Sequence, residues 1–60
     1  MEEYYKVFYE ENGILRCARY NYEDEYKATK VADFYANKEG ITNVYVYKYK
    51  IVSELVKQYT

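Results

Sequence analysis

The chain has 60 residues, of which nine are basic, ten are acidic and none is histidine, giving a formal net charge of −1. A charge this close to zero gives no strong electrostatic attraction toward nucleic acid or an anionic membrane surface. One cysteine without histidine excludes an intrachain disulfide and a credible structural zinc site, and no apolar run approaches the roughly 20 residues of a membrane span.

The first predicted element is a β-hairpin. Residues 3 to 11 and 14 to 20 are rich in strand-forming residues, and both segments are predicted to be strands. Asn12-Gly13 lies between them, and this dipeptide is the strongest short hairpin signal. The first strand carries Tyr5, Val7 and Tyr9 on one of its two faces.

The loop of this hairpin leaves two registers open, because a slip of one residue moves every side chain to the other face. A three-residue loop, residues 11 to 13, places Leu15 and Cys17 on the same face as Val7. A two-residue loop, residues 12 and 13, instead places there Ile14, Arg16 and Ala18. We favour the three-residue loop because its face is the more apolar one, with Cys17 as a small buried hydrophobe.

The second predicted element is an amphipathic helix over residues 22 to 38. Asn21 is a good N-cap, and the acidic run at residues 23 to 25 suits the positive end of a helix. Apolar residues then follow at helical spacing, at Ala28, Val31, Ala32 and Tyr35. Lys38 lies in the predicted last turn and Gly40 ends the helix.

The third predicted element is a long strand over residues 41 to 52, where two kinds of side chain alternate. One side carries Val44, Val46, Lys48, Lys50 and Val52. The other side carries Tyr45, Tyr47, Tyr49 and Ile51. Residues 53 to 60 fit either a helix capped by Ser53 or a continuation of the strand, and both interpretations stay open.

These elements predict one α+β domain over residues 1 to 60, in the order β-β-α-β. The expected sheet has three strands, is mainly antiparallel and has the strand order 2-1-3, with the helix packed on one face. At about 1.5 Å per helical residue and about 3.3 Å per strand residue, the last strand is longer than the helix. We therefore expect its end to overhang the domain as an exposed edge.

No residue set in the chain is suited to catalysis, so we predict a protein that is not an enzyme and holds no cofactor or metal. Histidine, the most common general acid or base near neutral pH, is absent, and Cys17 therefore has no histidine to activate it. The two glycines are isolated, which excludes a phosphate-binding loop. One unpaired thiol and no secretion signal predict a cytoplasmic location.

The uncovered face of the sheet is the candidate interaction site. We expect it to be formed by Tyr4, Lys6, Phe8, Arg16, Tyr45, Tyr47 and Tyr49. A domain of this size buries only about 60% of its unfolded surface, and self-association is one way to add stability. The main hypothesis is a homodimer through this face or the last strand, and the second is docking of another protein. In the competing interpretation, the three tyrosines of the third strand form the core beneath Ala28 and Ala32.

The alternative function is binding of single-stranded nucleic acid. In this interpretation the tyrosine rings stack on bases, and phosphates are bound by Lys6, Arg16, Lys48 or Lys50. The near-neutral charge and the interspersed glutamates argue against it.

In composition the chain is rich in lysine, tyrosine, asparagine and glutamate and free of proline and histidine. It resembles in this respect the small open reading frames of AT-rich phage or mobile-element genomes. The resemblance covers no motif and no functional residue. It implies a protein that binds and modulates a host protein.

Overall fold

A computed structural model describes residues 3–50 and 54–59. Within these residues the chain forms one helix and four strands: β1 (Tyr4–Glu11), β2 (Ile14–Cys17), α1 (Glu25–Ala36), β3 (Ile41–Tyr49) and β4 (Glu54–Tyr59). The strands make one antiparallel sheet with the order β2-β1-β3-β4. The predicted α+β class is confirmed, and the prediction of only three strands is wrong.

The fourth strand changes how the sheet ends. β4 lies antiparallel to β3, with Lys48 opposite Glu54 and Val44 opposite Tyr59. β3 is therefore an inner strand that ends at Tyr49, and the predicted exposed edge is wrong over Val44–Lys48, because β4 pairs with the backbone groups there. The predictions for residues 51 to 53 lie outside the described residues.

The hairpin between β1 and β2 uses the two-residue loop. Asn12 and Gly13 have φ values of 53° and 82°, and Glu11 pairs directly with Ile14. Both residues tolerate positive φ, so the tight turn that suits the twist of the strands forms without strain. The favoured three-residue loop is wrong, and the expected burial of Cys17 is wrong with it, because Cys17 is exposed on the opposite face.

The second strand is shorter than the predicted range of residues 14 to 20. Its register, which pairs Phe8 with Cys17, would bring Tyr20 opposite Tyr5 if it continued. The structure places Tyr22 there instead, and each backbone N–H donates to the other's carbonyl at 2.8 Å. The chain therefore leaves the regular ladder after residue 18 and returns to β1 at Tyr22.

This long-range pair also delays the start of the helix. Because Tyr22 is extended and bonded to Tyr5, the helix begins at Glu25 and not at the predicted residue 22. Asp24, and not Asn21, is the N-cap: its Oδ1 accepts a hydrogen bond from the backbone N–H of Lys27 at 2.8 Å.

The helix ends earlier than the predicted residue 38. Asn37 is the C-cap, and its backbone and side-chain N–H groups both donate to the carbonyl of Asp33. Lys38 lies beyond the helix, so its predicted place in the last turn is wrong. Gly40, at φ 92°, directs the chain into β3.

The core lies between α1 and one face of the sheet. Its fully or nearly buried residues are Val7, Ala18, Ala28, Ala32, Val44 and Val46. Half-buried residues pack around them, among them Tyr9 and Tyr35, whose stacked rings are 4.2 Å apart. The interpretation that places the β3 tyrosines under the helix is wrong, because Val44 and Val46 occupy that side of the strand.

We expect Asp24→Ala to lower the free energy of unfolding by about 1 kcal/mol, because the N–H of Lys27 loses its acceptor. Urea unfolding followed by circular dichroism measures the change. Glu23→Ala is the matched control, since it removes a neighbouring negative charge and leaves the cap in place. An equal loss of stability in both variants would show that charge, and not capping, is responsible.

Candidate functional site

The side of the sheet that faces away from α1 is called the open face. The strand registers place twelve residues on it: Tyr4, Lys6, Phe8, Glu10, Leu15, Cys17, Asn43, Tyr45, Tyr47, Tyr49, Leu55 and Gln58. No helix or strand of the described chain packs against it. Leu15 and Leu55 are 59% and 47% exposed and add apolar surface to the rings of this face.

The structure brings six of the seven predicted interaction residues together on the open face: Tyr4, Lys6, Phe8, Tyr45, Tyr47 and Tyr49. Arg16 lies on the other side, opposite Tyr9, with its Nε 3.2 Å from Oε1 of Glu11. The two-residue turn is the reason, since it shifts β2 by one residue and presents Leu15 and Cys17 in place of Arg16. The strong preference of Asn-Gly for this turn is the signal that identifies the two added residues.

The rings of the open face form one continuous layer. Tyr4 and Tyr49 stack across β1 and β3 with centroids 5.3 Å apart and planes 4° apart. Phe8 meets Tyr47 edge to face at 5.7 Å. Tyr47 also lies 6.5 Å from Tyr45 and 6.4 Å from Tyr49, so it contacts three other rings. These mutual contacts hold the rings in place, which lowers the entropy lost when a partner binds.

A shallow groove of about 440 Å³ crosses the open face. Its walls are the rings of β3 together with Phe8 and Leu15, and its acidic end is Glu10. The carboxylate of Glu10 accepts hydrogen bonds from Asn43 Nδ2 at 3.0 Å and from the Tyr45 hydroxyl at 3.1 Å. The groove therefore offers apolar walls and one fixed negative charge.

Positive charge on the open face is sparse. Among the strand residues whose side chains are described, only Lys6 and Glu10 bring a charge to this face, and Lys6 Nζ lies 5.8 Å from the Tyr49 ring centre. Lys48 is opposite Tyr5 on the helix side, and Lys50 Nζ is 3.5 Å from Glu3 Oε2. The basic residues expected to bind phosphates beside the tyrosines are therefore not gathered there.

Three tyrosine hydroxyls ionise less readily than usual. Burial is the main cause that raises the pKa of Tyr9, Tyr22 and Tyr45 above 10.0. The hydrogen bond to the Glu10 carboxylate and its negative charge add to the effect at Tyr45. A pKa that is higher in the folded chain means that stability is full below pH 10 and falls as the pH rises through the folded-state pKa values.

We therefore expect the ionisation of these three tyrosines to leave the thermal unfolding midpoint unchanged below pH 10. The midpoint should then fall progressively as the pH rises above 10. Absorbance at 295 nm, which reports tyrosinate, should rise with the loss of folded signal. Tyr45→Phe keeps the ring and removes one hydroxyl with a raised pKa, so the unfolding midpoint should fall less above pH 10 than in the wild type. A midpoint that stays constant well above pH 10 would contradict the assignment.

Comparisons with family models, with curated proteins and with solved structures gave no match to this chain. No helix in residues 3–50 and 54–59 combines the length and apolar character needed to cross a membrane. In the same residues, no group of three or more Cys, Asp or Glu side chains is placed to hold a metal ion. The open face, with its ring layer and acidic groove, is the candidate site on which a function can be argued.

Proposed function

We propose that this chain is a non-enzymatic protein-interaction module that self-associates through the open face. One observation carries the proposal: a continuous layer of tyrosine and phenylalanine rings lies on the side of the sheet that α1 does not cover. Tyrosine is enriched at the centres of protein interfaces, because its ring supplies apolar area and its hydroxyl a hydrogen bond.

The size of the open face fits a reversible dimer. The strands have 8, 4, 9 and 6 residues. At about 3.3 Å per residue and about 4.8 Å between strands, they span a plane of roughly 430 Å². The relief of the side chains makes the accessible area larger, so two such faces together reach about 1,000 Å², the lower limit for a specific interface. An interface near this limit is smaller than those of obligate dimers, which bury about 2,000 Å² or more, so we expect a reversible dimer.

A host protein is the second candidate partner, in line with the phage-like composition. The proposed location is the cytoplasm, because the exposed Cys17 thiol stays reduced there. Binding of single-stranded nucleic acid is less well supported. Base stacking needs phosphate contacts beside the rings, and Lys6 is the one basic side chain of the described strands on this face.

Sedimentation velocity over a concentration series tests the proposal. We expect the sedimentation coefficient to rise from the monomer to the dimer value across the micromolar range. A labelled oligonucleotide at low salt is the parallel test of the alternative, because electrostatic attraction is strongest there. A chain that stays monomeric at the highest concentration would contradict self-association, and oligonucleotide binding would favour the alternative.

A further inference from the structure

We infer that two copies pack their open faces about a two-fold axis that crosses the strands at Phe8, so that Lys6 of each copy meets the partner's Glu10. This inference rests on the proposed function, and it identifies the partner as a second copy of the chain in one defined orientation. It follows from the way charge and ring size are distributed along the open face.

The two ends of the open face differ. On one side of the Phe8–Tyr45 pair, Lys6 is opposite Tyr47 and Tyr4 is opposite Tyr49. This is the projecting end, with three tyrosine rings and one positive charge. On the other side, Glu10 is opposite Asn43 and next to Leu15, and the described strands carry no aromatic ring on the open face there. This is the acidic end. The two ends are thus complementary in charge, and the end that carries the three tyrosine rings is the bulkier one.

Symmetry then selects the orientation. In a two-fold interface the same surface patch is used by both copies. An axis that crosses the strands at Phe8 reverses their direction, so the projecting end of one copy faces the acidic end of the other. An axis that runs along β1 would set Lys6 against the partner's Lys6 and Glu10 against the partner's Glu10. Like charges in contact oppose association, so the crossing axis is favoured.

The hydrogen bonds already present at Glu10 suit this role. A carboxylate has roughly four acceptor sites. Asn43 and Tyr45 occupy two of them and hold both oxygens in position. The remaining sites can accept the ammonium of the partner's Lys6 as it leaves water. A charge that becomes buried needs such a partner, and the crossing arrangement gives one to each of the two lysines and two glutamates.

Charge reversal tests the arrangement. Lys6→Glu and Glu10→Lys should each weaken the homodimer by about tenfold or more, because each variant places like charges together at two symmetric positions. The double variant Lys6→Glu/Glu10→Lys should regain most of the wild-type affinity. An equimolar mixture of the two single variants should likewise form a heterodimer, in which every charge again has an opposite partner. Circular dichroism verifies that each variant is folded.

Cross-linking at Cys17 gives an independent measurement. Cys17 is opposite Phe8 and therefore close to the proposed axis, where it would lie near the partner's Cys17 across sheets about 10 Å apart. A short bis-maleimide should join two wild-type chains and should not join Cys17→Ser chains, since Cys17 is the sole cysteine.

The outcomes separate the two proposals. If the wild type dimerises but single charge reversals leave its affinity unchanged, the crossing arrangement is wrong and self-association stands. If the single variants are weakened and neither the double variant nor the mixture recovers, Lys6 and Glu10 are not paired across the interface. If the wild type never dimerises, the proposed function fails and the inference fails with it.

Discussion

Ala32→Leu is expected to lower the thermal unfolding midpoint by roughly 5–20 °C, the largest stability effect we predict for a single substitution. Ala32 has no exposed surface and lies where α1 rests on Val44 and Val46, which are also buried. A leucine there must push the helix away from the sheet, and overpacking of this kind costs about 1–3 kcal/mol. The total free energy of unfolding of a domain of this size is roughly 3–9 kcal/mol, so this loss is a large part of its stability.

The matched control is Ala36→Leu, the same substitution one helical turn later. Ala36 is exposed and borders a small recess of about 50 Å³ beside Ile41, Val44 and Tyr59. A leucine at this position has room, so the midpoint should stay near the wild-type value or rise slightly. Scanning calorimetry of both variants measures the difference. Equal midpoints for the two variants would show that α1 does not lie as close to the sheet at Ala32 as the structure indicates.

The helix and the two faces of β3 could be predicted because each has a local periodic signal. Ala28, Ala32 and Tyr35 repeat at helical spacing, and Val44 and Val46 alternate with tyrosines. Alternation alone assigns the tyrosines and valines to opposite faces. It does not say which face meets the helix, and here packing decides: valines fit beneath two alanines, whereas three tyrosine rings would hold α1 too far from the sheet.

The features that could not be predicted depend on contacts between distant residues. Asn21 and Asp24 are both good N-caps, and the pairing of Tyr22 with Tyr5 selects Asp24. Leu55, Val56 and Tyr59 fit a helix or a continuation of β3, and both interpretations are wrong because this segment pairs antiparallel with β3 as a separate strand. At the hairpin the local signal is sufficient, because Asn12-Gly13 favours the two-residue turn, whereas the apolar pattern of Leu15 and Cys17 favours the wrong register.

Tyr47→Ala is expected to raise the dissociation constant of the dimer by about thirtyfold or more, which corresponds to at least about 2 kcal/mol. Tyr47 lies in the middle of the ring layer, where it touches Phe8, Tyr45 and Tyr49, and it forms part of the groove wall. Residues at the centre of an interface dominate the binding energy. Removing this ring also releases its neighbours, so the partner meets a less ordered surface. Sedimentation equilibrium gives the dissociation constants.

Two further tyrosine variants separate an interface role from a general effect of losing a ring. Tyr26→Ala removes a tyrosine that is 69% exposed on α1, away from the open face, and should leave association unchanged. Tyr47→Phe keeps the ring, and its dissociation constant should be close to that of the wild type. The hydroxyl that it removes makes no hydrogen bond among the described residues. If Tyr26→Ala weakened association as much as Tyr47→Ala, the loss at Tyr47 would be a general effect of removing a ring and would contradict its assignment to the contact surface.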